Sequence, residues 1–107
     1  MSSFFYDLHV HPVAFRRQPD DKFLFDKQGH WIGWFPWGDN DAVDKSGKYL
    51  GTVVGDRFLE RAAQPYRGYP GYPGYPGYAG YPGYPGFAGF AGYQAGFADV
   101  PATKLEG

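Results

Sequence analysis

FLFDKQGHWIGWF (residues 23–35) is echoed by AVDKSGKYLGTVV (residues 42–54), and the two align on Asp26 and Asp44, eighteen residues apart. Both read apolar, Asp, Lys, polar, Gly, polar, aromatic, aliphatic, Gly. An Asp followed three residues later by Gly suits a type I turn. The carboxylate accepts from backbone amides of the turn, and glycine tolerates a left-handed exit. Each unit therefore reads as strand, tight turn, strand, with Asp26, Gly29 and Gly33 repeated as Asp44, Gly47 and Gly51. The connectors PWGDND and VGD are also turn-like. No helical period persists over ten residues. RFLERAAQ (57–64) is the best helical stretch, and it is short and meets Pro65. The head is expected to be all-β.

The repeat extends in both directions. Aligned on Asp7, FYDLHVHPVAF (5–15) places His11 with His30 and Lys48, Val13 with Ile32 and Leu50, and Ala14 with Gly33 and Gly51. Phe15 then matches Trp34 and Thr52. Small residues recur where the backbone must bend or pack closely. Val10 and Pro12 break the pattern, so the first turn is expected to differ in geometry. RFLE (57–60) opens a fourth unit with Glu60 in the Asp position, after which the pattern stops. Four corners at Asp7, Asp26, Asp44 and Glu60 suggest a small, shallow pseudo-four-fold barrel of short antiparallel hairpins, whose closure removes exposed sheet edges.

DLHVHP (7–12) invites a second reading. An Asp followed by His-x-His at a strand end resembles the metal-ligand start of amidohydrolase-type barrels, since alternate strand residues point the same way and two imidazoles can share an ion. Those enzymes need a barrel of at least about 200 residues to bring in further ligands. Here His30 is the third and last histidine. Asp7, His9 and His11 are therefore read as rim residues of the first unit. No metal, no cofactor, no catalytic residue and no small-molecule substrate is expected.

The tandem FDKQGHWIGWF and VDKSGKYLG, followed by GDRF, resembles the four-fold beta-flower family of bacterial proteins over residues 3–61. The resemblance implies a shallow symmetric barrel with an apolar interior, and no established activity. Such a barrel is similar to tubby-like domains, some of which bind lipid headgroups, which is an analogy of fold.

Composition narrows the function classes. The chain has 107 residues, no cysteine and a net charge of −1. Neither disulfides nor thiolate metal sites can reinforce a head of about 64 residues, which is small for an independent core. Oligomerisation is the remaining common remedy. A nucleic-acid protein would carry a basic face. No basic, apolar leader and no long apolar span is visible, so a cytoplasmic or membrane-peripheral protein is expected.

A Gly-Tyr-Pro strip follows the head. Glycine recurs at every third position from Gly68 to Gly92, and five of the triplets are Gly-Tyr-Pro. The organisation expected is a β-repeat head at 1–64, a strip at 65–98 and a C-terminal tail at 99–107. Proline fixes its own φ and pushes the preceding tyrosine towards extended backbone, so polyproline II is expected over 68–91. Its aromatic edge would be Tyr69, Tyr72, Tyr75, Tyr78, Tyr81, Tyr84, Phe87 and Phe90. In the head, strand alternation sends Trp31 and Phe35 to one face and Ile32 and Trp34 to the other, and places Trp37 in an exposed turn. Trp31, Trp34 and Trp37 are the head's candidate aromatic contacts. The function expected is non-enzymatic: a structural or assembly protein in which a small β-repeat head carries a self-associating or docking aromatic strip, and hence a homo-oligomer. The alternative is a peripheral module that binds a membrane surface, a glycan or another protein.

Overall fold

The computed structural model describes residues 3–63, 67–83 and 94–105. It is all-β apart from one 3₁₀ turn at Ala102–Leu105. The strands are β1 (Ser3–Tyr6), β2 (Pro12–Arg16), β3 (Phe23–Asp26), β4 (Trp31–Trp34), β5 (Asp41–Asp44), β6 (Tyr49–Val54), β7 (Arg57–Arg61) and β8 (Phe97–Asp99). Consecutive strands pair antiparallel, and a parallel bridge between Tyr6 and Arg57 joins β1 to β7. Strands β1–β7 thus close into a barrel, and β8 pairs with β7. Arg57–Arg61, within the best helical stretch of the sequence, forms β7 instead. No helix among the described residues is long and apolar enough to cross a membrane.

The three Asp turns repeat bond for bond. Oδ1 of Asp7 accepts from the amides of His9 and His11, at 2.8 and 2.9 Å. Asp26 does the same for Gln28 and His30, and Asp44 for Ser46 and Lys48. In each turn the Asp amide donates to the carbonyl four residues on, and the Asp carbonyl accepts from the residue three on. The first turn therefore has the geometry of the others, contrary to the expectation from Val10 and Pro12. Val10 is bent to φ +61° to keep the network, where Gly29 and Gly47 sit at +97° and +91°.

Alternation through β4 is also corrected. Ile32 and Phe35 pack together in the barrel interior with Phe5, Leu24, Leu50 and Phe58, whereas Trp31 and Trp34 share the outer cluster with Phe15, Phe25 and Val43. A bulge explains it. Phe25 pairs with Trp31, but Leu24 pairs with Gly33, so one extra residue lies in β4 and shifts the two-residue phase. Bulges recur at Phe5/Tyr6 and Ala42/Val43, one in each of these hairpins.

Cross-hairpin registers are equivalent too: Ala14 lies opposite Asp26 as Gly33 lies opposite Asp44. A Cβ at Gly33 would run into the Val43 carbonyl, and one at Gly51 would come within 2.7 Å of the Phe58 ring.

The repeat does not end at Glu60. β8 returns antiparallel beside β7, with Leu59 opposite Asp99 and Arg61 opposite Phe97. Val100, the next residue, joins Ile32 and Leu50 in the interior. The strip is thus inserted in the loop of the β7–β8 hairpin. The expected boundary at residue 98 falls inside a strand of the head's own sheet.

Candidate functional site

The site is the barrel rim with the ribbon that crosses it. The ribbon starts at Arg67, whose guanidinium donates to Asp39 at 2.6 Å and to Asp41 at 3.2 Å and lies 4.2 Å from the Trp37 ring. Asp41 is buried. Its other oxygen accepts from Thr52 Oγ1 and from Arg61, and Thr52 in turn meets the Tyr49 hydroxyl at 2.6 Å. One polar network therefore joins β5, β6, β7 and the start of the ribbon. Partial burial pushes the Asp39 carboxyl up, but the Asp41 amide and the Arg67 guanidinium outweigh it and hold Asp39 below its ordinary value.

Beyond this anchor the ribbon passes the two Asp-turn tips that carry Gly47 and Gly29. Tyr69 and Pro70 lie against Gly47. Tyr72 and Tyr75 contact Trp31, with ring centroids at 5.7 and 5.8 Å. At the second tip the Tyr78 hydroxyl donates to the Gln28 carbonyl, the Tyr78 ring packs on His30 at 5.0 Å, and the Ala79 amide donates to the Gly29 carbonyl. Gly29 is buried by this contact, because a Cβ there would collide with the Gly80 backbone. Absence of a side chain is what lets two backbones meet.

The ribbon's conformation differs from polyproline II at its glycines. Gly68, Gly71, Gly74, Gly77, Gly80 and Gly83 have φ between +81° and +89°, whereas polyproline II needs φ near −75°. Glycine occupies both halves of φ space with little cost, so proline's constraint does not propagate through it. Residues 67–83 run without helix, strand, turn or bend. Tyr84, Phe87 and Phe90 lie outside the described residues.

Most of the tyrosine surface remains open. Tyr69, Tyr72, Tyr75, Tyr78 and Tyr81 are 58–74% exposed, and the glycines of residues 68–83 have open space where a Cβ would stand. By contrast Trp31 and Trp34 are buried, at 3% and 8%, and Trp37 is half-buried. Only Trp37 remains partly accessible to a partner. A groove of about 570 Å³ lies beside it, between the β5–β6 hairpin and the ribbon, with Tyr49, Tyr69, Lys48, Arg67 and Lys104 in its walls.

His9, His11 and His30 are exposed at the rim, and His11 and His30 stand in equivalent places beside Asp7 and Asp26. Sequence reasoning missed Asp99, Arg67, Asp39 and Asp41. Arg67 had one visible signal: it is the last charge before an uncharged stretch that ends at Asp99. Compared with family models, curated proteins and solved structures, the chain matches none.

Proposed function

We propose that the chain is a non-enzymatic assembly protein, in which a pseudo-four-fold beta-flower head displays a self-associating aromatic ribbon. The observation that carries this is the ribbon's open side: five tyrosines more than half exposed, on one segment, held against the head by contacts at both hairpin tips. Such a surface costs free energy in water. Covering about 100 Å² more of each ring returns roughly 2.5 kcal/mol per ring at about 25 cal/mol per Å². No charge lies between Arg67 and Asp99 to oppose the approach of a second ribbon, and the glycine edges leave room for it. A homo-oligomer built through the ribbons is the resulting assembly.

Tyrosine nitration read by mass spectrometry tests this. Tyr69, Tyr72, Tyr75, Tyr78 and Tyr81 are expected to be labelled in dilute protein and protected in concentrated protein. Equal labelling at both concentrations contradicts the proposal.

The groove beside Trp37 favours a second reading. Lys48 lines it beside Tyr49 and Tyr69, and Asp44 is also in the wall. Arg67 and Lys104 contribute positive charge, although they pair with Asp39, Asp41 and Glu60. An anionic headgroup held mainly by Lys48 makes a peripheral membrane-surface module the alternative. Co-sedimentation with anionic, but not neutral, vesicles would support it.

A further inference from the structure

We propose that Asp7, His9 and Asp99 form a binding site for a divalent transition-metal ion of the zinc type, which staples β8 to the first hairpin turn. A carboxylate oxygen from each Asp and a ring nitrogen of His9 all lie within 4.8 Å of one another. Donors about one zinc stand roughly 3.5 Å apart, given bonds of about 2.0–2.2 Å, so small side-chain rotations bring the three into place. Among the described residues no other group of three such donors converges.

Each donor has capacity left for an ion. Asp7 commits Oδ1 to the amides of His9 and His11, while Oδ2 points to the exposed His11 ring at 3.3 Å. Asp99 gives Oδ1 to the Leu8 amide and meets His9 Nδ1 with Oδ2 at 2.9 Å. The His9 side chain is 73% exposed, so an ion can enter and water can complete its coordination. One imidazole with two carboxylates suits zinc, nickel or copper rather than magnesium, which prefers oxygen alone.

The repeat supplies an internal comparison. Gln28 and Ser46 stand where His9 stands, and Trp31 stands where Asp99 stands, by the pairings of β3–β4 and β7–β8. His30 beside Asp26 reproduces the His11–Asp7 pair without a third donor. The donor set thus arises only where β8 meets the first turn, and an ion there ties residue 99 to residues 7 and 9. Because the unfolded chain does not hold these groups together, binding adds to folding stability.

The experiment is equilibrium dialysis of the full chain against zinc chloride, with thermal unfolding followed by circular dichroism. One zinc per chain and a raised unfolding midpoint are expected, with no effect of magnesium. His9→Ala and Asp99→Asn are each expected to weaken zinc binding at least tenfold, and His30→Ala to leave it unchanged. His9→Ala keeps the backbone amide that donates to Asp7 and gives up one exposed side-chain contact, to Asp99, so the fold is expected to persist. Zinc uptake well below one per chain overturns the proposal, as does uptake lost equally in His30→Ala and His9→Ala.

Discussion

Val10 occupies, at φ +61°, the turn position that Gly29 occupies at φ +97°. Both complete the same hydrogen-bond network around an Asp carboxylate. A β-branched residue in the left-handed region costs on the order of 1–3 kcal/mol, part of which glycine gives back in chain entropy. Val10→Gly is therefore expected to stabilise the head by about 1 kcal/mol, raising its unfolding midpoint by several degrees. Thermal unfolding checks this, and an unchanged or lowered midpoint contradicts it.

Gly29 does more than exit a turn, since the ribbon's backbone rests on it. Gly29→Ala is expected to cost about 1–3 kcal/mol and to lift residues 78–80 from the tip. Limited proteolysis should then cut the ribbon faster while the β signal of the head persists. Gly55→Ala is the comparison: its φ is +63° but nothing lies within 4 Å of an added Cβ, so it strains the backbone without touching the ribbon. Equal proteolysis rates in the two variants would contradict the contact at Gly29.

The Arg67 anchor depends on pH. Asp39 is held below its ordinary value of 3.8 in the folded chain, so its contribution to stability is present above about pH 4 and is lost as pH falls towards the folded value. Asp21, clamped by Arg17 at 2.6 Å, is lowered as well and contributes with the same sign in the β2–β3 loop. Protection of the ribbon near Arg67 is expected to be constant from pH 7 to pH 5 and to fall below pH 4. Hydrogen exchange measured across this range checks it. Asp39→Asn should flatten the part that reports on residues 67–70, and leave the part that reports on residues 17–23.

The Asp turns were legible because they are local: one carboxylate, two amides and a glycine within five residues define each of them. Three features were not legible. The phase of Trp31 and Ile32 depends on a bulge that a strict two-residue alternation cannot express. β8 is three residues long and is separated from its partner by the whole strip, so Asp99 carried no local sign of lying beside His9. The glycines of the strip are free to take either sign of φ, and their neighbours in space, Gly29 and Gly47 among them, decide what the triplets leave open.

Assembly through the ribbon is the centre of this account, and sedimentation equilibrium on the full chain tests it most directly. The chain mass is 12.0 kDa. The wild-type protein is expected to sediment as a multiple of that mass. A variant with Tyr69, Tyr72, Tyr75 and Tyr81 replaced by serine is expected to sediment as the single chain with its β signal intact. A wild-type protein that stays at 12.0 kDa at high concentration, or a serine variant whose mass matches the wild type, would contradict assembly through the tyrosines.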